Sequence, residues 1–375
     1  MDVRFDRPRA PRGGLLQHPT ASGSFPSGHV AIWTRGLIPA VALLVCAAGV
    51  ATGRAGSAVY HRIKTIKLGG DEGWDYIAFD PTARRLYVSR ATHVVVLDAA
   101  DGTVVGDIPD TPGVHGVALA PELNRGFTSN GHAATVTIFD TKTLAVIGHT
   151  STGEGPDAIV YDPASHRVLT MNGRGHTSTA MDAASGHVVG TIDLGGKPEF
   201  AVSDGEGHVY VNLEDKSEAV TLDTATLKLS HRWPMAPCEA PSGLAIDRAH
   251  RRLFAGCHNN MMVVLDADSG KIIATLPIGA GVDANGFDPG TQFALSSNGG
   301  DGTLTVVHEV SPEQFTVVDN IQTRKGARTM ALDEKTHDIY LVTANFGPLP
   351  ASTPEQPHPR PPIVPGSVVV LVYGR

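Results

Sequence analysis

The chain has 375 residues, a formal net charge of -8 and 18% charged residues, with Gly 42 and Pro 26. That length admits two average domains or one repeat array, and the Gly and Pro content, without long runs of helix formers, favours short strands joined by tight turns. The acidic balance and the absence of a Lys/Arg cluster argue against a phosphate backbone as partner, so no nucleic acid is expected.

Residues 1–34 are rich in Pro, Gly, Ser and Arg without apolar periodicity and read as disordered or as an over-extended start. Residues 35–58 then read as a signal peptide: Arg35 precedes the apolar run Gly36 to Ala51, and small residues follow through Ala55 and Ala58. The run is shorter than a span of roughly 20 residues, which favours cleavage over a retained anchor; membrane contact is expected only through this segment. Leu44 and Val45 before Cys46 are not the small residues of a lipidation signal.

From residue 59 to 375 the sequence resolves into units reading strand, Asp-Pro-type turn, strand ending near Asn, strand ending in Asp, turn, strand. The unit from Pro156 to Lys197 is the clearest, with alternating apolar residues in each short run. The fifth residue before each first turn gives Asp75, His115, Asp157, Glu199, Ser242, Asp283 and Arg328, spaced 40 to 45 residues apart. Such a period with four strands per unit predicts an all-β, seven-bladed β-propeller of four-stranded antiparallel blades. The last unit has only three strands of its own, so Val59 to Leu68 is expected to close the ring as its outer strand.

The second strands end in FTSN (Phe127 to Asn130), LTMN (Leu169 to Asn172), YVN (Tyr210 to Asn212) and VTAN (Val342 to Asn345). These resemble the YVTN repeat of YncE-like propellers over roughly residues 60 to 375. Arg90 and Cys257 depart from the pattern, and blade 4 shortens its first turn. The resemblance implies a fold; the family is functionally mixed and implies no chemistry.

In such a blade the first strand begins and the second strand ends on the same side of the disc, so function is expected there. An inner ring of Asp75, His115, Asp157, Glu199, Ser242, Asp283 and Arg328 surrounds the channel mouth, and an outer row holds Arg90, Asn130, Asn172, Asn212, His258, Asn298 and Asn345. Four carboxylates, an imidazole and a guanidinium suit a divalent cation held by Asp75, Asp157, Glu199 and Asp283, a cationic ligand, or acid/base work by His115, Glu199, His258 and Arg328. The competing reading is that these side chains only cap strands and satisfy loop backbone.

Cys238 and Cys257 fall on the same face, and in an exported chain they read as a disulfide. The alternative is a copper or zinc site with His258. The proline-rich insertion 346–366 in the last blade is expected to emerge on this face as a lid or a docking arm, with Glu355, His358 and Arg360 its functional side chains. His93, His132 and His176 lack metal-motif spacing, and no nucleophile elbow, phosphate loop or haem motif is present. The expectation is a periplasmic or extracellular monomer that binds a small molecule or protein at the mouth. The alternative is a metal-assisted hydrolase, lactonase or lyase there.

Overall fold

A computed structural model describes residues 59–353 and 359–375. The expected disordered start and export segment, with Cys46, lie outside the described residues. The rest forms seven four-stranded antiparallel sheets. Their inner strands contact one another in sequence, and Ile77–Asp80 of blade 1 contacts Met330–Asp333 of blade 7, so the sheets form a seven-bladed propeller. Blade 3 typifies the plan, with Pro156–Asp162, Arg167–Asn172, Thr177–Asp182 and Val188–Asp193 running outward from the axis. Blade 7 takes three strands from the end of the chain, Met330–Asp333, Asp338–Thr343 and Val369–Gly374, and pairs the last with His61–Lys67.

Burial follows distance from the rim. The second strand Arg167–Asn172 is buried on both faces beyond its first residue, whereas the outer strand Val188–Asp193 is mostly exposed. Both faces of a blade are therefore apolar near the axis, and neighbours bury them, each large side chain contributing about 1.5–3 kcal/mol. Aromatic pairs sit on these seams: Tyr87 against Phe139 at 5.7 Å between blades 1 and 2, and Phe254 against Phe287 at 5.2 Å between blades 5 and 6. The Asp ending an inner strand organises the turn that follows. Asp80 Oδ1 accepts the N–H groups of Thr82 and Ala83 at 2.8 and 3.0 Å, and Asp247 Oδ1 accepts that of Ala249 at 2.9 Å.

The Asn row expected to face a ligand is corrected by the register. Strand pairing aligns Arg90, Asn130, Asn172, Leu213, Cys257, Asn298 and Thr343. Asn130, Asn172 and Asn298 are fully buried. Asn172 Oδ1 accepts from the Thr170 hydroxyl at 2.9 Å, and its Nδ2 donates to Thr177 and Thr179 at 3.0 and 2.9 Å. Asn130 and Asn298 repeat the arrangement with Thr128, Thr135, Thr137 and with Ser296, Thr303, Thr305. These amides close a buried polar square within each blade and are not available to a ligand.

Asn212 stands one position earlier, and because side chains alternate along a strand it points to the other face. There it donates to Ser242 O and Gly243 O of the next blade at 2.8 and 3.2 Å. Arg90 is buried too, its guanidinium held by Gly69 O, Glu72 O and the Glu72 carboxylate. His258 and Asn345 lie beyond the strand ends and are exposed.

Replacing Asn172 by Ala removes the acceptor of the buried Thr170 hydroxyl and one partner each of Thr177 and Thr179. Urea unfolding should register a loss of about 1–3 kcal/mol, with no change at the channel mouth.

Candidate functional site

Inner strands start at the mouth, so the first residues of the seven blades converge there. His115 Nδ1 lies 2.5 Å from Asp75 Oδ2 and 3.6 Å from Asp157 Oδ1, joining blades 2, 1 and 3. The Arg328 guanidinium lies 3.1 Å from Asp75 and 2.6 Å from Asp283, joining blade 7 to blades 1 and 6. The Ser242 hydroxyl of blade 5 donates to Asp283 at 3.1 Å. Contacts thus run from blade 3 through 2, 1, 7 and 6 to blade 5.

Blade 4 breaks the circuit. Among the described residues Glu199 has no side-chain hydrogen bond or ion pair with Asp157 or Ser242; its partner is Lys197 of its own blade, with Nζ 3.3 Å from Oε2. Lys197 is shared with Glu214. Serine hydroxyls also bond backbone across three of the seams. Ser89 donates to His115 O at 2.6 Å and Ser297 to Arg328 O at 2.5 Å, each from the penultimate position of a second strand, and Ser129 does the same to Asp157 O. At the blade that precedes Glu199 this position is Met171, which has no hydroxyl to give.

Burial governs the electrostatics of the ring. Burial pushes the Glu199 carboxyl up to about 8, with the Asp157 charge adding and Lys197 opposing. Burial raises Asp157 to about 6 against the pull of His115, and raises Asp283 against that of Arg328. For His115, burial favours the neutral ring, but the Asp75 hydrogen bond and the charges of Asp157, Asp75 and Glu199 outweigh it and raise the imidazole. Burial thus raises three carboxyls of the ring, Asp157, Glu199 and Asp283, and of these Glu199 alone lacks a cross-blade counter-ion among the described residues.

Just inside the ring, Tyr76 and Phe200, the residues after Asp75 and Glu199, meet across the channel with ring centroids 5.3 Å apart. They line an apolar cavity of about 130 Å³ together with Ile77, Val117, Ile159 and Met330. Burial and then the charges of Asp157, Glu199, Asp75 and Asp283 push the Tyr76 phenol well above its usual range, so it keeps its proton. Sequence reasoning missed Tyr76, Phe200 and Lys197. The first two stand one residue after ring positions, which was the available signal.

Cys238 and Cys257 form a disulfide with Cα atoms 5.5 Å apart. Cys257 pairs with Pro241, ahead of a strand bulge between Pro241 and Leu244. With both sulfurs in the disulfide, the copper or zinc alternative involving His258 is removed. The foot of the proline-rich insertion is pinned by Gly347 N–H to Pro362 O at 2.8 Å and Val364 N–H to Asn345 O at 2.9 Å. Phe346 there packs 6.0 Å from Trp74, over which the Arg328 guanidinium lies at 5.9 Å, placing the foot beside blades 7 and 1. Arg360 is exposed, and Glu355 and His358 lie outside the described residues. His93, His132 and His176 do not join the ring; His93 sits 3.6 Å from Asp107. Among the described residues no helix is long and apolar enough to cross a membrane.

No protein-family model and no curated protein sequence matches the chain. Among solved structures it is similar to a chain of Kuenenia stuttgartiensis hydrazine synthase, with a TM-score of 0.65 at 14% identity over 72% of this chain and 92% of that one. It is also similar to a chain in the crystal structure of the mitotic checkpoint complex, with a TM-score of 0.69 at 12% identity over 90% of this chain and 99% of that one. At such identities the likeness is one of fold, the seven-bladed β-propeller.

The raised Glu199 carboxyl has a consequence for stability. The folded protein keeps a proton that the unfolded chain releases near its ordinary pKa, so this group costs stability progressively from about pH 4.5 to about pH 8. Glu199→Gln, which carries no charge, should match the wild type near pH 4.5 and exceed it by on the order of 1–3 kcal/mol at pH 8.5 in urea unfolding. Equal stabilities at both pH values would contradict the assignment.

Proposed function

We propose that the protein is an exported, YncE-like binding propeller that holds a small organic cation at its channel mouth. The observation carrying this reading is the break in the ion-pair circuit at blade 4, where Asp157 and Glu199 share an arc without a cross-blade counter-ion for Glu199. An ammonium group entering that arc meets two carboxylates, and its hydrocarbon meets the Tyr76–Phe200 pair beneath them. The protonated Tyr76 hydroxyl makes no hydrogen bond among the described residues and is free to donate to a ligand oxygen. Export is supported by the Cys238–Cys257 disulfide, which suits an oxidising compartment, and by the apolar run Gly36 to Ala51. The family reading rests on FTSN and LTMN, whose Thr and Asn build the buried square.

A divalent metal with hydrolase, lactonase or lyase chemistry is the second reading, favoured by the ligand atoms of Asp75, His115 and Asp157 lying within 4.8 Å of one another. A metal needs a neutral imidazole. The carboxylates around His115 favour its protonated form, and Arg328 already lies against Asp75. The organic cation therefore fits better.

Titration calorimetry with tetramethylammonium and butylammonium as probes tests this. Affinity should rise as pH goes from about 6 to above 8, because ionising Asp157 and Glu199 creates the counter-charge. Asp157→Asn and Glu199→Gln should each weaken binding by about tenfold or more. Failure of both probes to bind below about 10 mM, or equal affinity at pH 5.5 and 8.5, would sink the proposal.

A further inference from the structure

On the face opposite the mouth, the seam between blades 5 and 6 departs from the repeat in a way that the mouth does not explain. In blades 3, 6 and 7 the Asp ending the inner strand accepts from a hydroxyl three residues on, and in blade 6 it also meets His337 of blade 7 at 2.8 Å. Asp162 accepts from Ser165, three residues on, at 2.6 Å, and from Thr224 of the next blade at 2.9 Å. Thr291 and Thr336 bond Asp288 and Asp333 in the same way as Ser165 bonds Asp162, both at 2.8 Å. The Thr224 position follows the third strand of each blade and is small and buried in blades 1 to 5: Ala99, Thr141, Ala183, Thr224 and Ala267. Around Asp247 both neighbours change. His250 replaces the hydroxyl three residues on, and Glu309 occupies the small position on the next blade.

Glu309 is delivered by the third strand of blade 6, Thr303–Ser311, which is nine residues long where blades 1 to 5 have six. Its backbone N–H bonds Gln292 O, as that of Thr224 bonds Gly207 O, so the two residues are structurally equivalent. A carboxylate therefore faces the Asp247 carboxylate where blades 1 to 5 have a small uncharged residue. The Glu309 side chain has no solvent exposure, and Asp247 has 1%. His250 Nδ1 lies 2.7 Å from Asp247 Oδ2 and 2.9 Å from Glu309 Oε1. A single ring nitrogen can serve only one of them. It bonds Asp247, leaving both Glu309 oxygens buried without a hydrogen-bond partner.

The arginines nearest in sequence are engaged elsewhere: Arg248 with Ser203 O, Arg251 with Asp204 and Asp268, Arg252 with Asp266 and Pro312 O. An unpartnered buried carboxylate is costly and calls for positive charge. Ligand atoms of all three side chains lie within 4.8 Å of one another, and the half-exposed His250 leaves an approach from solvent.

We propose that Asp247, His250 and Glu309 form a site for a divalent transition-metal ion, with Zn²⁺ the best match to one imidazole and two carboxylates and water completing its coordination. The ion would fasten blade 5 to blade 6 on the face away from the mouth. The site is independent of the cation reading above.

The repeat supplies benign test substitutions. Glu309→Thr restores the residue found at Thr141 and Thr224, and His250→Ser restores that at Ser165. Chelator-treated full-length protein is titrated with ZnCl₂ and followed by calorimetry and thermal unfolding. The wild type should take up one ion at this site tighter than about 100 µM and melt at a higher temperature with it. Each variant should fold, lose at least about tenfold in affinity and lose most of the thermal shift, while Asp157→Asn at the mouth leaves both unchanged. Glu309→Thr without metal should melt no lower than the metal-free wild type, since its hydroxyl rebuilds the Thr224-type contact. Absence of Zn²⁺ uptake by the wild type, undiminished uptake by Glu309→Thr, or loss of uptake only in Asp157→Asn would overturn the site.

Discussion

A four-stranded blade has two apolar faces and cannot bury both against itself. Packing each blade between two others satisfies that requirement, and the rest of the molecule follows from it. The inner strands must then run side by side around an axis, all starting at one face. Whatever residue begins each strand is brought to the channel mouth irrespective of its charge, and seven such residues must come to electrostatic terms. Six do so through His115, Arg328 and Ser242, each reaching across a blade seam. Glu199 instead takes its counter-ion from its own blade, and that local exception is what makes the mouth asymmetric.

The asymmetry gives a nearly closed ring one chemically distinct sector. Around His115 and Arg328 opposite charges are already paired, and a visiting ion would have to displace them. At Asp157 and Glu199 it would instead relieve two carboxyls that burial and neighbouring carboxylate charges hold back from ionising. The Tyr76–Phe200 contact just inside gives this sector an aromatic floor.

Much of this was legible in the sequence because strand period and turn chemistry are local. The Asp-Pro-type turns fixed the position of every ring residue from Asp75 to Arg328, and cysteine placement anticipated the Cys238–Cys257 bond. The outer row was misread for an equally physical reason. Asn130, Asn212 and Asn345 look alike as letters near a strand end, but a shift of one residue turns a side chain to the opposite face, and only strand pairing reveals the shift. Glu309 was illegible for a different reason. Its partners, Asp247 and His250, are about 60 residues away on another blade, and its significance appears only when it is compared with Thr224 and Ala267 at the same structural position.

The pairing of His61–Lys67 with the final strand also settles how the disc is handled from outside. The register sets His61 opposite Gly374 and Lys67 opposite Val369, so that outer strand enters at the end away from the mouth and runs toward it. Val59 therefore stands on the face that carries Asp247, at the same corner as Arg375. A linker engineered onto Val59 or Arg375 would leave from the face away from the mouth, so that the ring from Asp75 to Arg328 faces away from a bead or surface.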